Sequence, residues 1–394
     1  MQTVSNDRTY ISPSILAFHK LEHKEYHPFF IKPKTLTSLA VLLGILNLLA
    51  RSEILSEASQ RLTMSPKNVI GSIKSRGAVV GTVFAFVFFG SIHLPDTIMI
   101  RPHPIFWRCV LALFTLYAMF MTYLFLLPVD EVRSTFRYFD TKLGKPLPEM
   151  SYADDCRVYT PENPNSKFAN LYMAIFDVHF FAHFAGWFGK MLIMRDWWVA
   201  WICSAGFEFL ELTFRYWLPN FYECWWDSLL LDLFGCNFLG ILAGAWFLKY
   251  FGVRKISWVK SHEKRTKVTQ TDEPCSNVIL RTIEKFRPAA LEQYEWSALQ
   301  DLNRYIGVSV FVSTCLLIDC NNFFYKFLVW IPPNHDLLKY RVTLWGFVAI
   351  ATSKEWYEYV SNPHCHRLGP FAWLTFYVCL IELSSIYKFT VETG

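Results

Sequence analysis

The sequence predicts an all-α membrane bundle of about eight spanning helices, and three observations carry that reading. Of the 394 residues, 53% are hydrophobic and 18% aromatic, while only 18% are charged, against about 25% in an ordinary soluble domain. The apolar residues gather into runs near the roughly 20 residues that a helix needs to cross the hydrocarbon of a bilayer. Lysine and arginine concentrate in one loop, 254–287, which holds nine of them, and strongly basic loops stay cytosolic. The net charge of +5 is otherwise spread among loops, so nothing favours a nucleic-acid partner.

Taken in order, residues 1–34 contain no apolar run of signal-peptide type and read as a cytosolic segment, which leaves targeting to the first spanning helix. A single membrane domain follows over 35–389, with a tail at 390–394. Its first helix, 35–49, is at the lower length limit for a span, so the nine apolar segments named here amount to about eight spans. Helices at 78–94 and 105–128 flank the rigid turn Arg101-Pro102-His103-Pro104, where two prolines fix the backbone. The loop 130–167 is acidic and dotted with proline, and a loop that long usually caps a surface or serves a function. Helices at 168–194, 197–217 and 223–250 come next, then the basic loop 254–290, then helices at 305–331, 341–357 and 371–389. Counting back from the cytosolic basic loop makes 130–167 and the turn at 218–222 lumenal. It also makes 51–76 lumenal, despite five Lys/Arg there. The ten cysteines include Cys109, Cys203, Cys236, Cys315 and Cys379 within apolar stretches and form no CxxC pair, so free thiols are expected throughout.

The three helices between 168 and 250 carry Asp177, His179, His183, Glu208, Glu211, Glu223, Asp227 and Asp232. An ionisable group at the bilayer centre costs at least ~2.5 kcal/mol, so a cluster of them marks a site. His183 sits in an aromatic run and shares a helical face with Gly186, Trp187 and Lys190. Burial keeps an imidazole neutral and able to accept a proton, although a packed, hydrogen-bonded histidine is the plainer alternative. His179 and His183 have the i,i+4 spacing of zinc ligands, but no third histidine or cysteine joins them in sequence. Glu208 and Glu211 are i,i+3, Glu223 and Asp227 i,i+4, and each pair shares a face. A turn at Leu218-Pro219-Asn220 brings the two pairs to similar depth. Carboxylates gathered at one level call for a hard cation, calcium first and magnesium second. Asn220 with Glu223 also fits a capping box, and Asp232 lies about 140° around an ideal helix from Asp227, so it can face a different neighbour. Gly240 and Gly244 read as a close helix contact.

Several of these residues carry a resemblance. Arg101-Pro102-His103-Pro104 with Trp107-Arg108, His183-Phe184 with Gly186-Trp187, Glu208 with Glu211, and the run from Leu218 to Asp227 with Asp232 and Cys236-Asn237 resemble the eukaryotic phosphatidylserine synthases of the base-exchange type. The resemblance extends from about Lys32 to Trp373, through Asn321, Phe323-Phe324, Tyr359, Arg367 and Gly369. Residues 142–148, 195–198 and 330–335 look more like the ethanolamine-exchanging paralogue than the choline-exchanging one. That family typically has about ten spans, against the eight or so read here. The resemblance implies calcium-dependent exchange of the ethanolamine or choline head group of a phospholipid for L-serine in the endoplasmic reticulum membrane. It implies His183 as the base and Glu208, Glu211, Glu223, Asp227 and Asp232 as calcium and substrate carboxylates. Asn220, Asn237, Arg101, Lys190 and Asp177 are the expected substrate contacts, and the active site would face the lumen. A homodimer is compatible with this but not required.

Two other routes to the same chemistry are disfavoured. The membrane enzymes that use a CDP-activated lipid open their motif with Asp-Gly, a dipeptide absent here, and His262-Glu263-Lys264 lacks the aspartate of a phospholipase-D-like motif. From a different class, intramembrane carboxylates with a histidine also suit a cation- or proton-coupled transporter.

Overall fold

The computed structural model describes residues 73–147, 153, 155–163, 166–176, 178–250, 254–255, 292–363 and 365–393. The expected helix at 35–49, most of the basic loop and Asp177 lie outside them. The described chain is helical, apart from a two-residue parallel ladder that pairs Arg254–Lys255 with Glu292–Gln293. The helices are α1 Ile73–His93, α2 Pro104–Leu126, α3 Val129–Phe139, α4 Ala169–Ile175, α5 Val178–Met194, α6 Trp197–Phe214, α7 Phe238–Tyr250, α8 Leu302–Leu328, α9 Asp336–Ser361 and α10 Pro370–Thr393. A 3-10 turn, Pro219–Phe221, and a π-helix, Asp227–Asn237, lie between α6 and α7.

Four described segments are long and apolar enough to cross a membrane: α2, the π-helix continued by α7 (Asp227–Tyr250), α8 and α10. The expected number of about eight is higher than the four supported by length and composition. Local chemistry explains where the helices start. Pro104 occupies the first turn of α2 while His103 accepts from the amide of Ile105, and Asp196 accepts from the amides of Trp198 and Val199 to open α6. Each satisfies amides that no helical carbonyl can reach.

Two expectations about elements are corrected. Residues 168–194 do not form one helix, because α4 ends at Ile175 and α5 starts at Val178. The loop 130–167 is not free of secondary structure: α3 is amphipathic and buries Val129, Val132 and Phe136 at helical spacing. Its Arg133 lies over the Trp330 ring and donates to the Leu328 carbonyl at 2.9 and 3.1 Å, which fastens the loop to the end of α8.

α10 packs on α2 and α8, α6 packs on α8, and α5 runs against α7 and the π-helix. Away from the acid cluster, buried Glu382 has a charged partner and buried Glu355 a backbone one. Glu382 on α10 is fully buried and meets Arg341 of α9 at 2.7 Å and the hydroxyl of Tyr117 on α2. Glu355 on α9 accepts from the amide of Ala372 at 2.9 Å and so caps the start of α10. Gly369 permits that approach, since a Cβ there would sit 2.2 Å from the Glu355 carboxyl carbon.

Candidate active site

Two glycines set the position of His183. A Cβ at Gly240 would lie 2.5 Å from the backbone oxygen of Phe184, and one at Gly244 2.8 Å from the Met191 side chain. Only glycine lets α7 come this close to α5, as the small-residue spacing predicts. His183 is therefore pressed against the chain that turns into the π-helix.

The π-helix makes the site. Its i→i+5 hydrogen bonding stacks residues five apart, and such segments are frequent at functional sites. Asp227, Asp232 and Asn237 are five apart in succession, so this backbone carries them in one row. In an α-helix each step of five would turn by about 140° and scatter them. The sequence reading of Asp232 as facing elsewhere assumed α-helical phase, and the π-helix removes that assumption.

Across the row stands α6. Asn237 is fully buried, and its amide nitrogen donates to Glu208 Oε1 at 2.8 Å. Ser228 Oγ lies 3.4 Å from Glu208 Oε2. Because the amide NH2 of Asn237 is committed to Glu208, its oxygen is the atom that faces His183 Nδ1, at 3.4 Å. The imidazole Nδ1–H then donates to that oxygen, and the lone pair falls on Nε2. A buried amide thus selects the tautomer of the candidate base.

Five carboxylates converge beside this pair. Glu208 contacts Glu211, and Glu223 contacts Asp232, in each case carboxyl to carboxyl. Glu223 also feels the charges of Asp227 and Glu208. Two carboxylates repel unless a proton or a cation lies between them. Glu211 is 5% exposed, and its Oε2 is buried without a hydrogen-bond partner. An orphaned buried oxygen amid other carboxylates fits a hard divalent cation, for which all-oxygen ligands are the preferred set.

The route by which these groups meet differs from the one read in sequence. α6 ends at Phe214, so the connection to the π-helix runs over residues 215–226 rather than through a three-residue turn. Glu223 lies in the non-helical part of that connection and not on a helix with Asp227. The alternative in which Asn220 and Glu223 start a helix is overturned for the same reason. The Asn220 backbone is part of the 3-10 turn, and its side chain is outside the described residues, as is that of His179. Lys190 pairs with Asp319 of α8 at 2.7 Å and lies 4.0 Å from the Trp187 ring centre, within the field of Glu211. Arg101 stands exposed ahead of α2, where its carbonyl accepts from Trp107. Its helix packs on α1, α9 and α10 rather than on the site helices.

Two features were missed in sequence. Asp319 is a carboxylate inside the apolar run of α8 and met the same criterion that picked out the others. The second is a disulfide, Cys156–Cys224, with Cα atoms 5.3 Å apart and 68 residues of sequence separation. It corrects the expectation of free thiols throughout; Cys109, Cys203, Cys236, Cys315 and Cys379 are free, as expected. Neither paired cysteine lies in an apolar helix, and no short spacing announces them. The bond, with a hydrogen bond from the Trp226 indole to the Cys156 carbonyl at 2.9 Å, ties the 140–167 loop to the stretch that carries Glu223 and Asp227.

Comparison with known proteins gives one family, whose relatives carry two different reaction names. A family model described as phosphatidyl serine synthase matches residues 102–390, which include every residue of the cluster but not Arg101. The CDP-diacylglycerol--serine O-phosphatidyltransferase 1 of Arabidopsis thaliana is 36% identical over 359 residues, 91% of this chain and 81% of the relative. Phosphatidylserine synthase 2 of Homo sapiens is 32% identical over 371 residues, 93% of this chain and 71% of the relative.

Proposed function

The chain belongs to the phosphatidyl serine synthase family, and from that premise we propose that it makes phosphatidylserine by base exchange, replacing the head group of phosphatidylethanolamine, and less readily phosphatidylcholine, with L-serine. A phospholipid and serine are the substrates that membership implies, and it leaves a transporter reading without support. The observation that carries the proposal is the chain His183–Asn237–Glu208 beside a five-carboxylate cluster with an orphaned oxygen on Glu211.

Serine's hydroxyl is a weak nucleophile at neutral pH, so it needs a base aimed at its proton. His183 Nε2, freed by the Nδ1–H donation to Asn237, accepts that proton as the serine oxygen approaches phosphorus. The same imidazolium then returns the proton to the departing ethanolamine oxygen. Asn237 holds the ring through both transfers, and Glu208 holds Asn237. Calcium, when bound by Glu208, Glu211, Glu223, Asp227 and Asp232, supplies positive charge for the phosphoryl oxygens. Lys190, steadied by Asp319, stands beside the cluster as a candidate contact for the serine carboxylate.

The names of plant relatives favour a second reading, in which the donor is a CDP-activated lipid. The missing Asp-Gly motif argues against it. Purified protein in phosphatidylethanolamine vesicles should incorporate labelled serine with calcium alone, and activity that appears only on addition of CDP-diacylglycerol would overturn base exchange.

We place the enzyme in the endoplasmic reticulum membrane with its carboxylates toward the lumen, and two independent features support this. Disulfides persist in oxidising compartments, and Cys156–Cys224 lies at the carboxylate end of Asp227–Tyr250. The nine Lys/Arg of 254–287 follow the opposite end. Asn163→Cys and Lys264→Cys, each in a background that keeps only the Cys156–Cys224 pair, should label from opposite sides of sealed microsomes. Labelling of both from one side contradicts the topology.

The disulfide also holds two cation ligands. Cys156→Ser and Cys224→Ser should each raise the calcium concentration for half-maximal activity several-fold, and the double variant should match the singles because all three remove one bond. Additive losses would assign the cysteines separate roles.

A further inference from the structure

In sequence, His179 and His183 have zinc-like spacing but no third soft ligand. The fold brings one from another helix. A ring nitrogen of His183, a carboxylate oxygen of Asp232 and Sγ of Cys236 all lie within 4.8 Å of one another, with Asp232 and Cys236 buried. The thiol of Cys236 lies 3.3 Å from Asp232 Oδ1. A tetrahedral ion bound at about 2.0–2.3 Å sets its ligand atoms about 3.5 Å apart, so the Cys236–Asp232 edge already has that spacing.

We propose that His183, Asp232 and Cys236 form a second, inhibitory metal site that takes a thiophilic divalent ion, zinc or cadmium. Its donor set of nitrogen, oxygen and sulfur differs in kind from the all-oxygen set beside it. Thiolate and imidazole select zinc-like ions, whereas carboxylates alone suit calcium and magnesium. Only Asp232 belongs to both. On binding, the Cys236 thiol loses its proton to solvent and the thiolate becomes a ligand, while the imidazole gives its lone pair to the metal. No redox step is involved. An imidazole so engaged cannot take a proton from serine, so the ion stops exchange. That consequence rests on the reading of His183 as the base; the binding does not.

The test uses the full-length protein in lipid nanodiscs, titrated with cadmium alone and followed by the thiolate-to-cadmium charge-transfer absorbance. The wild type should show a component that saturates at one ion per chain. Cys236→Ser should remove it, and His183→Ala and His183→Gln should each weaken it at least ten-fold. In parallel, the zinc concentration that halves exchange should rise at least ten-fold in Cys236→Ser. Absorbance unchanged in Cys236→Ser overturns the site. So does absorbance lost with Cys236 but indifferent to both His183 variants, which would mark an ordinary thiol. Should Cys236→Ser elute as aggregate, the two His183 variants decide alone. A site that binds cadmium through Cys236 and His183 while zinc leaves exchange untouched would instead contradict His183 as the base.

Discussion

His183→Ala should lower exchange by 10²–10⁴-fold, the usual contribution of a general base, while the protein remains folded and still binds calcium. The expectation follows from geometry. His183 is a half-buried imidazole held against the π-helix by the Gly240 and Gly244 contacts, with its tautomer set through Asn237. Asn237→Ala should show a smaller loss in kcat with little change in the KM for serine, since it orients the base without touching the hydroxyl. Serine incorporation by purified variants in defined vesicles reads both effects. Retention of more than about a tenth of wild-type activity by His183→Ala would remove it from the proton transfers.

Chelation should abolish activity altogether, and calcium should restore it at lower concentration than magnesium. Among the five carboxylates Glu208 meets Glu211 and Glu223 meets Asp232, and one oxygen of Glu211 has no partner, an arrangement whose repulsion a divalent cation relieves. Magnesium demands a compact octahedron and keeps its waters, whereas calcium accepts many carboxylates from separate elements. Glu211→Gln and Asp227→Asn should each raise the calcium needed by roughly ten-fold or more, because ligand charge tunes calcium affinity over decades. Isothermal titration with calcium checks the same ranking without reference to turnover. Full activity in chelator would assign the carboxylates another purpose.

The all-helical membrane character of the chain was legible because hydropathy alone writes it, although length and composition support four spans among the described residues rather than about eight. The acid cluster was legible because ionisable groups are too costly in lipid to be accidental. The mutual arrangement was not. Asp227, Asp232 and Asn237 look scattered until the backbone adopts i→i+5 bonding, and no local sequence feature distinguishes that from an α-helix. Glu223 looked like a helical residue because its spacing to Asp227 is four, yet the chain between Phe214 and Asp227 is mostly irregular. The Cys156–Cys224 bond depends on a contact between segments 68 residues apart, which composition cannot encode. Asp319 is different: the signal was present in α8, and only its distance in sequence from the acid cluster hid its relevance.

The measurement closest to the central claim follows both head groups at once. Purified protein in phosphatidylethanolamine vesicles, given labelled serine and calcium with no CDP-lipid, should release one ethanolamine for every serine incorporated, and His183→Ala should lose both together. Serine incorporation without stoichiometric ethanolamine release would contradict exchange at this site.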